Sequence, residues 1–347
     1  MVGEGEAVGS RRIVGHVDGV EDVVQFPSPD AVGFGFREKL DKVAIIDLKD
    51  RASTHGPCRG YLLKDLVHHD LVPPGSVSPD GVLMIDLLVI CAGSKAVELA
   101  VAAELRRLGH RPPVIVVVDD DSRFPSTSHA RHLPHVHILA DFTDLAQTLE
   151  GLFVGVVLET PQCSDWGTRN SGRSAAQPAG APDPSERADA RSQRNAKANA
   201  EVEWLTLFNS ITLLRDQDSA IVIESTENCI KFYPSFAKMI TRGGFDRWGT
   251  SACAYGQTVS CKIVGHPLNF WLKNMPWSPR PRCSVATPCG HDHQLVISGA
   301  SGGLPVSYAS TPYPTALADD LGGAIAQRII QRRLSFFSNL DRNAAAS

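Results

Sequence analysis

A chain of 347 residues, 43% hydrophobic and 21% charged, has the composition of a globular protein able to bury one large α/β core or two smaller ones. No stretch approaches the ~18 uncharged apolar residues of a membrane span, and the opening Met-Val-Gly-Glu-Gly-Glu lacks a basic-then-apolar signal pattern, so an intracellular protein with no membrane partner is expected. The net charge of −4 argues against general affinity for nucleic acid, and eight dispersed cysteines suit reduced thiols better than a disulfide framework.

Residues 1–80 are rich in Gly, Pro and Asp with short apolar runs, and predict an extension with local structure only. Val82–Ile90 is an apolar strand broken by Asp86, leading into Cys91-Ala-Gly-Ser94. From Lys95 to Leu108 the pattern of Val97, Leu99, Val101, Leu105 and Leu108 in an Ala-rich frame predicts a helix that stops at Gly109. Strand, glycine turn and helix together form the unit that cradles a nucleotide-like ligand, here around Cys91, Gly93 and Ser94. Val114–Val118 is a second buried strand, ending in Asp119-Asp120-Asp121. An acid there, ~20 to 30 residues beyond a glycine turn, is placed to accept hydrogen bonds from ribose hydroxyls, with Asp119 the first choice.

Val136–Leu139 predicts a third strand ending at Asp141, Phe142–Leu149 a helix, and Phe153–Leu158 a fourth strand that stops at Thr160-Pro161-Gln162-Cys163. Alternating strands and helices imply a doubly wound, mostly parallel sheet. Residues 170–200 change character, with six basic and three acidic residues between Arg169 and Lys197, and predict a mobile basic loop able to close over a polyanion, or a disordered linker, followed by a polar helix start. Trp204–Leu214 continues as an amphipathic helix, and Ala220–Ile223 is a fifth strand with Glu224 at its end. Cys163 and Glu224 thus close successive strands on the edge where such sheets bind ligands. A thiolate can add to an electron-poor ring, and a carboxyl group can exchange the matching proton.

From Lys231 to Arg282 eight Lys or Arg stand against the single acid Asp246, a net +7. That predicts a separate, irregular basic lobe facing phosphate, over about 231–310, or a solvated face. Cys283-x5-Cys289-x-His291-x-His293 offers four ligands for one tetrahedral zinc, or a polar loop.

In their common order these segments resemble the DNA cytosine-5 methyltransferases, particularly their short divergent forms, from about Leu83 to Leu334. Leu83–Glu98 is similar to the cofactor motif, Val116–Phe124 to the ribose-binding strand end with Asp119 and Asp120, and Ala140-Asp141 to the acidic residue near the adenine. Thr160-Pro161-Gln162-Cys163 occupies the place of the nucleophile motif, with Gln162 where proline is usual. Ile221-Val-Ile-Glu224 resembles the strand of the catalytic glutamate, followed by Ser225-Thr226 rather than Asn and Val. Lys262 stands for the usual paired arginines, while Asn269 and Trp271 fall in a segment similar to the opening of the target-recognition region. Tyr313–Ile325 is similar to the final helix, over about 311–340, which packs back on the catalytic domain of 81–230.

The resemblance implies a Rossmann-like class I fold and S-adenosyl-L-methionine as cofactor. It implies Cys163 as nucleophile on a flipped cytosine in DNA, Glu224 at N3, and Gln162, Lys262, Asn269 and Trp271 at the substrate. The expected compartment is the nucleus in a eukaryote and the cytoplasm otherwise. Gln162 and Ser225 keep open a silent nucleic-acid-binding module on the same scaffold, and RNA or another base remains an alternative substrate.

Overall fold

The computed structural model describes residues 11–17, 20–26, 44–47, 75–77, 83–90, 96–119, 135–139, 153–161, 166, 173–180, 188–226, 229–256, 258–259, 262–263, 267–284 and 314–346. Its strands are β1 Arg11–Val17, β2 Val20–Phe26, β3 Ala44–Asp47, β4 Met84–Ile90, β5 Ile115–Asp119, β6 His135–Leu139, β7 Phe153–Glu159, β8 Ala220–Thr226, β9 Asp246–Ser251, β10 Thr258–Val259, β11 Lys262–Ile263 and β12 Pro267–Lys273. Four α-helices lie among them: α1 Ala96–Arg107, α2 Ala188–Arg215, α3 Pro234–Gly243 and α4 Thr315–Ala346.

Ten strands form one sheet in the order β2-β1-β3-β6-β5-β4-β7-β8-β12-β9. From β3 to β8 every neighbouring pair is parallel, and β12 runs antiparallel between β8 and β9. This is a doubly wound, mostly parallel α/β sheet.

Strands buried on both faces read as continuous apolar runs, and here alternate residues divide between two layers. Ile85, Leu88, Ile90, Val157, Ile221, Ile223 and Trp271 pack under α2 and α3, against Val202, Leu205, Phe208, Phe236 and Met239. Leu87, Val89, Val117, Val156, Leu158, Val222 and Phe270 pack under α1 and α4, against Val101, Leu105, Leu321, Ile325 and Ile329. The α1 positions recur every four residues, and Gly109 at φ 75° ends that helix while His110 N donates to the Leu105 carbonyl at 2.9 Å.

Asp86, the polar residue inside an apolar strand, sits at a β-bulge: Asp86 N and Leu87 N both donate to the Val114 carbonyl, at 3.0 and 3.2 Å. Its fully buried carboxylate accepts from Arg333 Nε and Nη2, each at 2.8 Å, from Arg111 Nη1 at 2.9 Å and from Val114 N at 2.7 Å. Gly155 lies opposite the bulge, where a Cβ would approach the Asp86 carbonyl oxygen to 2.8 Å. The same end of α4 places Arg332 on Asp216 and over the Phe153 ring, 4.5 Å from its centroid.

Two expectations about boundaries are corrected. Residues 231–273 do not stand apart as a lobe, because α3, β9 and β12 complete the main sheet. Their basic residues are the solvated side of elements whose other side is core: Lys238, Arg242 and Arg247 are exposed while Phe236, Met239 and Phe270 are buried. Within the expected mobile loop, residues 188–200 are the first half of the 28-residue α2. At the other end of the chain, β1, β2 and β3 extend the sheet beyond β6, with β3 parallel to it. Among the described residues no helix is long and apolar enough to cross a membrane.

Candidate active site at the carboxyl edge of the sheet

The chain winds outward from β4 through β5 to β6, then returns to place β7 on the other side of β4. The helix α1, following β4, covers one face, and α2, following β7, covers the other. Connections leaving in opposite directions open a crevice at the carboxyl ends of β4 and β7, where ligands of open α/β sheets bind.

Strand register defines what reaches that edge. Ile138, Val118, Ile90, Glu159, Ile223 and Trp271 form one row of Cα partners across six strands. One residue beyond this row stand Asp119, the last residue of β5, and Glu224, which β8 passes by two residues because its pairing with β12 continues to Thr226, so the expectation that Glu224 closes its strand is corrected. Thr160 N still donates to the Ile90 carbonyl at 3.1 Å, which keeps the chain paired with β4 up to the buried Pro161. Cys91, Gly93, Ser94, Asp120, Asp141, Gln162 and Cys163 lie outside the described residues, and so does the predicted helix 142–149.

Glu224 follows Ile223, which faces α2 and α3, so strand alternation turns its side chain toward the α1 and α4 side, where its partner Phe270 is core. The residue is half-buried, and among the described residues no ion pair or hydrogen bond holds its carboxyl group. Burial pushes its pKa up to about 7, because charge is disfavoured away from water. Such a group exchanges a proton near neutrality, the property a general acid requires.

A second carboxyl group was not among the sequence candidates. Glu159 is fully buried, accepts from Asn209 Nδ2 of α2 at 2.9 Å, and has a pKa raised to about 8, chiefly by burial. The available signal was a single acid ending a run of β-branched and aliphatic residues before Thr160-Pro161.

Just past the nucleophile motif, Trp166 is 1% exposed and meets Tyr233 edge-on at 5.3 Å. Arg173, 2% exposed, stacks its guanidinium 3.9 Å from the Trp166 centroid. It donates to the Asn199 Oδ1 at 2.8 Å, to the Asn195 carbonyl at 3.3 Å and to the Pro178 carbonyl. Asn195 and Asn199 lie one turn apart on α2, which explains why both reach the same cation. The basic charge at Arg173 is therefore anchored in the fold and not carried on a mobile loop.

Trp271 is corrected as a substrate contact: it is 2% exposed and packs edge-on against Phe236 at 5.1 Å, deep under α3. Asn269 is also buried, and its Oδ1 accepts from Arg247 Nη2 at 3.3 Å. Both residues sit on the strand alternation of β12, whose apolar neighbours commit it to the core. Lys262 opens β11 of a two-stranded hairpin outside the main sheet. Tyr255, at the end of the short 3₁₀ turn Ala252–Tyr255 after β9, ties that segment to α4. Its hydroxyl donates to Asp320 at 3.2 Å and accepts from Arg280 N at 2.8 Å, with burial raising its pKa to about 12. Cys283 is half-buried, while Cys289, His291 and His293 lie outside the described residues. Among the described residues no group of three or more side chains could hold a metal ion.

No protein-family model matches this chain, and no curated protein matches it. Solved structures similar to it include the S. pombe Dnmt2 methyltransferase, at 14% identity over 55% of this chain and 50% of that one, with a TM-score of 0.30. A triple mutant of Spodoptera frugiperda DNMT2 is similar at 13% identity over 62% of this chain and 60% of that one, with a TM-score of 0.32. The chain thus spans 50 to 60% of the length of these two structures.

Proposed function

We propose that this protein is an S-adenosylmethionine-dependent methyltransferase acting on C5 of cytosine in DNA. The observation that carries the reading is Glu224: a half-buried carboxyl group with no ion partner among the described residues and a pKa of about 7, at the carboxyl edge. It lies on β8, two residues before its end at Thr226 and beside β7, whose chain continues through buried Pro161 to Cys163.

The residues fit the cofactor by chemistry. Asp119, and Asp120 and Asp141, which follow β5 and β6 in sequence, would accept from ribose hydroxyls and adenine. The segment Cys91-Ala-Gly93-Ser94 precedes α1 in sequence, and partial positive charge at the amino end of that helix would favour a carboxylate. Pro161 would border the same pocket. Bound S-adenosylmethionine would supply an electrophilic sulfonium methyl group.

The chain's own residues act on the base. The Cys163 thiolate adds to C6 of an extruded cytosine, forming an S–C6 bond, while Glu224 gives its proton to N3 and the electron pair gained by the ring enriches C5. After methylation, loss of the C5 proton to water and return of the N3 proton to Glu224 break the S–C6 bond and release the thiolate. The exposed cations Lys238 and Arg242, on one side of α3, and Arg247, beside exposed Trp248 on the edge strand β9, supply a surface for phosphate.

Labelled S-adenosylmethionine incubated with duplex DNA, and separately with RNA, tests the reading. C5-methylcytosine is expected in the DNA, along with a covalent adduct on a 5-fluorocytosine oligonucleotide, and both should vanish in Cys163→Ser. Product on RNA alone, or methylation indifferent to Cys163→Ser, would overturn it. Salt-dependent DNA binding without transfer would instead favour a silent module on this scaffold.

A further inference from the structure

Glu159 is the one charged-type residue in a row of Cα partners otherwise made of Ile138, Val118, Ile90, Ile223 and Trp271. It is fully buried, as is Asn209, its partner 50 residues later on α2. A single hydrogen bond joins them, from Asn209 Nδ2 to Glu159 Oε2 at 2.9 Å. The two remaining oxygens, Glu159 Oε1 and Asn209 Oδ1, are buried without a partner.

Two orphaned acceptors on adjacent groups are costly in an apolar layer. One proton on Glu159 Oε1 directed at Asn209 Oδ1 satisfies both atoms and closes a carboxylic acid–amide ring with two parallel hydrogen bonds. An ionised carboxylate offers no such donor and would face the Asn209 oxygen with a charge. Its neighbours in the row on β4 and β8, Ile90 and Ile223, are apolar, and only burial and the Asn209 amide move its proton affinity.

We propose that Glu159 is carried as the neutral acid and, as a cyclic pair with Asn209, positions the end of β7 from which Pro161 and Cys163 follow. The pair acts through the cysteine and touches no substrate. For its catalytic consequence the proposal rests on the methyltransferase reading; for the proton and the ring it does not.

The conservative variant Glu159→Gln discriminates, because a glutamine amide donates to Asn209 Oδ1 and accepts from Nδ2, rebuilding both bonds without a titrating group. Asn209→Leu breaks the ring. In the full chain, the unfolding midpoint of the parent should fall as pH rises from 5 toward 8, and Glu159→Gln should reduce that dependence, leaving the part due to Glu224 below about pH 7, while keeping the parent's low-pH midpoint. The Cys163 alkylation rate should be preserved in Glu159→Gln and altered in Asn209→Leu. In methyl transfer, Asn209→Leu should lower kcat by about 10²-fold with KM little changed, as misplacement of a reacting group does.

Unfolding and alkylation need neither cofactor nor substrate, so the expected result there with a silent transfer assay refutes the methyltransferase reading and leaves the pair standing. A pH dependence in Glu159→Gln equal to the parent's, or a Gln variant as damaged as Asn209→Leu, overturns the pair. Should Asn209→Leu fail to fold, the infrared difference between parent and Glu159→Gln decides: a protonated-carboxyl stretch at neutral pH supports the proposal, and its absence overturns it.

Discussion

Replacing Arg333 by methionine removes the clamp that fastens the C-terminal helix to the sheet while keeping most of the side chain's apolar length. Arg333 reaches across 247 residues of sequence to grip Asp86 with two hydrogen bonds of 2.8 Å, and the side chains are 8% and 0% exposed. Breaking a buried ion pair by removing one partner costs about 3–5 kcal/mol, since the other charge stays buried. Asp86 would retain Arg111 at 2.9 Å and Val114 N at 2.7 Å, which places the expected loss at the lower end, about 3 kcal/mol. Urea unfolding followed by tryptophan fluorescence and by circular dichroism measures it. Asp86→Asn with Arg333→Met should cost less than the two single changes together, by about 1–3 kcal/mol of coupling. A loss under about 1 kcal/mol for Arg333→Met would equal that of an exposed pair and refute the clamp.

Two further predictions concern the acid at the site and the packing behind it. The carboxyl group of Glu224, raised from its ordinary value of 4.5 to about 7, holds its proton below neutrality. Transfer rate should therefore fall as pH rises through about 7, and Glu224→Gln should lower kcat by about 10²–10⁴-fold and abolish that limb; a limb that persists in the variant assigns it to another group. The same raised pKa makes folding stability greatest below about pH 4.5 for this group and reduces it as pH climbs to about 7, because the native state keeps a proton that the unfolded chain has lost. In α4, a Cβ on Gly322 would stand 2.6 Å from Ala100 Cβ and 3.1 Å from Val101 N of α1, whereas one on Gly323 meets nothing within 4 Å. Thermal unfolding should show Gly322→Ala destabilised by about 1–3 kcal/mol and Gly323→Ala stabilised by up to about 1 kcal/mol; equal effects would deny the close helix contact.

Local pattern carried the strands and their ends, because β-branched and aliphatic runs stop where turn residues begin. Ile115–Asp119 and Phe153–Glu159 were legible in this way, and so was the body of Ala220–Thr226, although pairing with β12 carries that strand two residues past Glu224. The helix α1 was legible from its four-residue spacing and its terminal glycine.

What the chain alone could not show was which partners distant residues would meet. The charge of Lys231–Arg282 suggested a lobe, yet Leu268, Phe270 and Leu272 insert β12 between β8 and β9, and the cations are left on the outer surface of that layer. Trp271 has the look of a recognition residue, and only its register opposite Ile223 assigns it to the core. Asp86 looked like an interruption until α4 supplied Arg333, and Glu159 was unremarked until α2 supplied Asn209. The amino-acid sequence by itself determined the α/β alternation, the strand ends and the acid at the edge, since these follow from the periodicity and turn chemistry of neighbouring residues. The tertiary structure decided the strand order, the ion clamp and the buried acid–amide contact. Each of these depends on which segment packs over which, and periodicity specifies a face without specifying what will cover it.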